Sequence, residues 1–209
     1  MLQLPIMLLC AYLLGSISTA ITLSKLFNLN NPRATGSKNP GATNMLRVNG
    51  ISFAALTLLG DLSKGMICMM LAKSLGLTGY ALTAIALSTF IGHVFPIYYQ
   101  FKGGKGVAVS LGIILGYAPI LALLTVLTWC AALLCTRYSS LSALIAAPSA
   151  ALMSLYWKQP PLTLTLGLIS LILILTHRHN IQKLLNGSEK KILTNCNAIF
   201  KKNHRNHKE

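Results

Sequence analysis

Acidic residues are almost missing from this 209-residue chain, which has Asp61, Glu189 and Glu209 against 18 lysines and arginines. With Asp61 the only acid ahead of the C-terminal tail, neither a paired-carboxylate mechanism nor a carboxylate-rich divalent metal site can be assembled. Charge of either sign is scarce, at 10% of residues against 54% apolar; soluble domains carry about 25% charged residues. So few charges cannot clothe a water-facing surface, and the solvent of this chain is expected to be lipid. No Cys-x-x-Cys pair occurs among Cys10, Cys68, Cys130, Cys135 and Cys196, so the cysteines read as small buried side chains rather than a disulfide framework or zinc site. Also missing are a Gly-x-Ser-x-Gly elbow, the Walker A order and any useful internal repeat. No basic-aromatic nucleic-acid module appears, so the net charge of +15 reads as membrane topology and attraction to anionic lipid.

What the chain does have is apolar runs over residues 1–24, 51–76, 79–99, 107–136, 140–157 and 160–176. The first has no basic residue ahead of it, so it is not expected to be a cleaved secretory signal. The stretch 107–136 exceeds the roughly 20 residues of a single crossing. It contains Gly112, Gly116 and Pro119, which favour a break near 116–119. Charge placement discriminates between one helix and two. With a hairpin there, the cytoplasmic side holds four bases between residues 25 and 50, two between 101 and 106, Arg137, and eight from 177 onward. The outside keeps only Lys73 and Lys158, with Lys64 inside a span. With one long helix, ten bases fall outside and seven inside. The positive-inside rule therefore selects an all-α, polytopic membrane protein with seven transmembrane helices, its N-terminus outside and its C-terminus cytoplasmic. The bundle is expected over residues 1–186, and a basic tail over 187–209 that forms a short surface helix and then disorder.

Three polar segments fall on the cytoplasmic side in this topology. Gly36-Ser37-Lys38-Asn39-Pro40-Gly41-Ala42-Thr43-Asn44, followed by Arg47, offers glycine amides and neutral donors running into a helix start. Such a loop makes an anion cradle, and on composition alone it makes an ordinary connector equally well. Phe101-Lys102-Gly103-Gly104-Lys105-Gly106 opens a helix at Val107, as a phosphate loop or as a flexible basic anchor of topology. His177-Arg178-His179-Asn180 supplies proton-transfer candidates, or a basic cap on the last span. Ser140 reads first as a helix N-cap. Asp61 and Lys64 share a helix face at membrane depth and are expected to pair structurally, while His93 is expected to hold a helix end. A cation- and amide-rich, acid-poor site on a membrane face suits phosphorylated substrates. An anionic-solute transporter, the rival reading, would want polar residues mid-span on several helices.

In order and spacing, GSISTA (15–20), GSKNPGATNMLRVNG (36–50), DLSKG (61–65), GHVFPIYYQFKGGKGVAV (92–109), TRYSSL (136–141) and HRHNIQKLLNGSE (177–189) resemble the bacterial acyl-phosphate-dependent glycerol-3-phosphate acyltransferase family. The resemblance implies a seven-helix bundle in the inner membrane with a cytoplasmic-face site, no cofactor and no metal. It implies transfer of an acyl group from acyl-phosphate to the sn-1 hydroxyl of glycerol 3-phosphate, the first step of phospholipid synthesis. By the same resemblance Ser37, Asn39, Gly41, Thr43 and Asn44 cradle the acyl-phosphate. Arg47 and Lys105, with Ser140 beside them, bind glycerol 3-phosphate, and His177 and Asn180 are catalytic. Two positions depart from the family pattern: Lys38 stands where GSGNPG has its second glycine, and His179 where HREN has its acid.

Reporter fusions test the charge count. Fusions after Leu29 and Asn186 are expected to report cytoplasm, and fusions after Gly76 and near Tyr117 the exterior. A cytoplasmic signal near Tyr117 would remove the hairpin at 116–119 and reduce the number of crossings.

Overall fold

The computed structural model describes residues 2–192, all of whose regular structure is helical. The surface helix and disorder expected further along the tail, and Cys196, lie outside the described residues. Ten α-helices follow in order: α1 (Gln3–Gly15), α2 (Thr19–Leu26), α3 (Ala42–Asn49), α4 (Ile51–Ser74), α5 (Tyr80–Val94), α6 (Val107–Tyr117), α7 (Pro119–Thr136), α8 (Ser139–Ser154), α9 (Pro160–Thr176) and α10 (Arg178–Leu185). Four helical stretches are long and apolar enough to cross a membrane: α4, α5 with its trailing turn, α7, and α8 with its trailing turn. The number rises to as many as six if α1 and α2, bent by 50°, and α9 and α10, bent by 60°, each form one span.

The break inside the longest apolar run is present. α6 ends at Tyr117 and α7 starts at Pro119, whose missing N–H is harmless at a first helical position. At 11 residues, α6 rises only about 16 Å, roughly half the hydrocarbon thickness.

The first apolar run differs from the single continuous helix that its composition suggests. Gly15 packs so tightly on the Thr89 backbone that a β-carbon there would collide with it. The chain then kinks through residues 16–18 before α2 resumes. The kink frees the Ile17 carbonyl, which accepts a hydrogen bond from Lys64 Nζ at 2.8 Å.

The core forms where α4 packs along α6, α1 along α5, and α8 against α7 and α9. Met69, Ile85, Phe90, Ile113 and Leu173 fill its centre. The α4–α6 approach depends on two glycines: added β-carbons at Gly65 and Gly112 would overlap the Val109 and Leu62 carbonyls. The cysteines only partly match expectation. Cys68 is buried, but Cys10, Cys130 and Cys135 are exposed on the apolar exterior, where lipid tails accept a small thiol as readily as a core does. Opposite the polar loops, Lys73 Nζ donates to the Gly116 and Tyr117 carbonyls at 2.8 and 2.9 Å, capping α6.

Gly112→Ala is expected to force α4 and α6 apart and destabilise the protein by about 1–3 kcal/mol, as overpacking does. A lowered melting temperature in detergent checks this; an unchanged one would mean that the helix contact tolerates a methyl group.

Candidate active site

The three polar segments meet at one end of the bundle, where a chain of side-chain contacts joins them. The loop before α3 is shaped by Asn44. Its Oδ1 accepts from the Ser37 amide at 2.8 Å, while its Nδ2 donates to the Pro32 and Thr35 carbonyls at 2.9 and 3.1 Å. Asn44 is fully buried. With both amide hydrogens committed to the loop backbone, the Asn44 side chain braces the loop from within. Ser37 and Asn39 remain accessible on the loop, Gly41 caps α3, and Thr43 Oγ1 lies 3.1 Å from Ser139 Oγ at the start of α8.

The glycine-rich segment is organised differently from a simple amide cradle. Gly103 and Gly104 donate their N–H groups to the Val94 and His93 carbonyls, both at 3.1 Å. These bonds satisfy carbonyls that the end of α5 leaves open, so the two amides are unavailable to an anion. The donors that remain belong to the first turn of α6, whose N–H groups have no intrahelical acceptor. Gly106 permits the turn into that helix with φ at 91°.

Lys105 is the hub. Its ammonium donates to Asn180 Oδ1, and its carbonyl accepts from Thr176 Oγ1 at 3.2 Å. Burial pulls the Lys105 ammonium down from its ordinary range to about 8; the Glu189 carboxylate opposes this, and the charges of Arg47 and Lys183 add to it. Asn180 Nδ2 and Ser140 Oγ both donate to Glu189 Oε1 at 2.7 Å. Ser140 thus bonds a carboxylate across the site, and no side-chain cap is present at α8. His177 is buried at the α9–α10 junction, with Nδ1 at 2.8 Å from the Leu173 carbonyl. A carbonyl only accepts, so Nδ1 carries the hydrogen and Nε2 is left with its lone pair.

Glu189 is the residue that sequence reasoning missed. By sequence it belongs to the tail, yet the chain after α10 returns over the site. Arg47 donates to the Lys190 carbonyl at 3.1 Å, Ile192 N–H donates to the Arg137 carbonyl at 2.9 Å, and the Lys191 ammonium stands over the Tyr138 ring. Its one sequence signal is rarity, as a single acid close behind the His-x-x-Asn segment at 177–180. His179, where the family pattern has an acid, is exposed, while Glu189 holds a carboxylate against Asn180. Among the described residues no cluster of three or more His, Cys, Asp or Glu side chains could hold a metal ion.

Residues 5–187 match the family described as glycerol-3-phosphate acyltransferase. A glycerol-3-phosphate acyltransferase of Nitrosomonas eutropha is 48% identical over 192 residues, covering 90% of this chain and 96% of the relative. One from Methylococcus capsulatus is 45% identical over 183 residues, covering 87% and 92%. Among solved structures, PlsY, an integral membrane glycerol 3-phosphate acyltransferase, superposes in its glycerol 3-phosphate form with a TM-score of 0.89 at 35% identity, over 94% of this chain and 98% of the other. Its lysophosphatidic acid form gives 0.84 at 36% identity, over 90% and 94%.

Lys38 sits in the left-handed backbone region with φ at 60°, which explains why the family pattern has glycine at this place. Lys38→Gly is expected to stabilise the protein by about 0.5–1 kcal/mol through relief of that strain. A melting temperature that falls would show that the lysine side chain contributes more than its backbone strain.

Proposed function

This chain belongs to the glycerol-3-phosphate acyltransferase family, and from that membership we propose a direct transfer in which acyl-phosphate is the donor and the site at the polar end does the chemistry. The protein is an integral membrane acyltransferase that converts glycerol 3-phosphate to lysophosphatidic acid. In the proposed reaction the sn-1 hydroxyl attacks the acyl-phosphate carbonyl. A new carbon–oxygen ester bond forms, the bond from the carbonyl carbon to the phosphate oxygen breaks, and inorganic phosphate leaves. The hydroxyl proton passes to a phosphate oxygen of the substrates. Since phosphate is already a good leaving group, the site needs mainly to orient two anions and stabilise developing negative charge.

The observation that carries this reading is the convergence of Lys105, on the loop before α6, and Arg47, in the last turn of α3, with one carboxylate among them. Arg47 and Lys105 bind the phosphate of glycerol 3-phosphate, and Ser140 holds its place through Glu189. The loop of Ser37, Asn39, Gly41 and Thr43 takes the phosphate of the donor, with Asn44 as its brace. Asn180 holds Lys105 against the acceptor, and His177 offers Nε2 as a hydrogen-bond acceptor to the attacking hydroxyl. Seven crossings of the inner membrane, N-terminus out and C-terminus in, would face this site to the cytoplasm, where glycerol 3-phosphate is soluble; the one-sided distribution of bases supports that orientation.

Purified protein in detergent, given acyl-phosphate and labelled glycerol 3-phosphate without acyl-CoA or acyl carrier protein, is expected to form labelled lysophosphatidic acid. Robust turnover with acyl-CoA alone would sink the donor assignment. Arg47→Lys keeps the charge but loses the planar fork, and is expected to lower the rate by about 10²–10³ at normal yield. Lys105 is charged below about pH 8 and neutral above it. Phosphate binding therefore takes up a proton at alkaline pH, and KM for glycerol 3-phosphate should rise by up to about tenfold per pH unit above 8. Lys105→Arg should remove that inflection, because arginine stays charged throughout.

A further inference from the structure

The mechanism leaves one group of buried charges unused. Lys64, Asp61 and His93 lie together inside the bundle, each nearly inaccessible. Lys64 Nζ is 3.1 Å from Asp61 Oδ1, 2.8 Å from the Ile17 carbonyl and 2.8 Å from His93 Nδ1. Asp61 Oδ1 also accepts from Thr19 Oγ1 at 3.0 Å. An ammonium has three hydrogens and no lone pair, so these three partners complete it, and His93 Nδ1 must be the acceptor. The imidazole hydrogen then sits on Nε2. His93 and His177 thus hold opposite tautomers.

His93 Nε2 faces the glycine-rich loop. A β-carbon at Gly104 would overlap the His93 ring, one at Gly103 would overlap the His93 carbonyl, and one at Gly106 would overlap the Phe90 ring. The Gly104 amide donates to that same His93 carbonyl. Phe90 and His93 are three residues apart and lie on one face of α5, so together they form a platform on which residues 103–106 rest. Lys105 and the first turn of α6 extend from this platform. The ring is in turn held by Lys64, whose other bonds reach the kink between α1 and α2.

We propose that Asp61, Lys64 and His93 are positioning residues for acyl transfer: a buried charge pair locks the His93 ring against Gly104 and so sets the placement of Lys105 and the α6 amides for substrate phosphate. The pairing on α4 therefore does more than neutralise a buried charge. The inference rests on reading the loop as phosphate-binding. It assigns a reason for no side chain at Gly104, and a reason to keep costly ionic groups at this depth.

The test measures KM and kcat for glycerol 3-phosphate per folded molecule, with melting temperature alongside. Removing one charge alone leaves its partner buried and unpaired, so the double variant Asp61→Asn with Lys64→Met is used, which leaves no net charge behind. It is expected to fold with a near-normal melting temperature and to show KM raised about tenfold or more, with kcat changed much less, since misplaced phosphate groups weaken ground and transition states alike. A double-mutant cycle tests the same link without touching the charges. Gly104→Ala should raise KM by about tenfold in the wild-type background but by less than about threefold in His93→Ala, where the methyl group enters vacated space. Should the double charge variant fold poorly, the cycle decides alone. Wild-type KM in the charge variant, or independent effects at Gly104 and His93, would overturn the proposal. Lys105→Ala run in parallel separates the two readings. Its normal KM would overturn the phosphate loop and the proposal with it, whereas its raised KM beside unaffected relay variants would overturn the relay only.

Discussion

The hydrogen bond from Lys105 to Asn180 joins segments 75 residues apart and draws the end of α9 and the start of α10 onto the glycine-rich loop. Without it the glycine-rich loop and the α9–α10 junction would be separate features of a bundle end. A lysine so far out of water is held as a cation only weakly, so its surroundings decide its charge. Glu189 supports that charge through Asn180, which passes one carboxylate's influence to Lys105 and, through Ser140, to α8. The pairing is economical in a chain with three acids, because one carboxylate stabilises a cation and orients two neutral donors at once.

Close packing by glycine makes this arrangement reachable. Gly65 and Gly112 let α4 and α6 approach backbone to backbone, and the same α6 begins at the loop that carries Lys105. At 11 residues α6 is about half as long as a membrane crossing, shorter than the α4 helix it packs against. In a low-dielectric recess each donor acts more strongly on an anion than it would at an open surface. The same seclusion makes unmatched charge expensive, which explains why the buried Lys64 has all three of its hydrogens satisfied.

The two histidines show how neighbours rather than composition assign a role. His177 donates through Nδ1 to a helix carbonyl and keeps Nε2 as an acceptor. His93 accepts at Nδ1 from an ammonium and carries its hydrogen on Nε2. In sequence both are histidines near the end of an apolar run.

The sequence by itself determined the membrane class, the helical architecture, the break between Tyr117 and Pro119, and the three segments that meet at the site. Those features are local: scarcity of charge, length of apolar runs and the punctuation of glycine and proline are all read within a few residues. The resemblance to the family motifs singled out Arg47, Lys105, His177 and Asn180. Only the tertiary structure decided the rest. The kink at residues 16–18 follows from Gly15 resting on Thr89, and Lys64 reaches its freed carbonyl across 47 residues. Asn44 became a brace, Gly103 and Gly104 became caps of α5, and Glu189 moved from tail to site across 49 residues to Ser140. Each of these outcomes depends on which distant group occupies a hydrogen-bonding position first, and no local pattern of residue types records that.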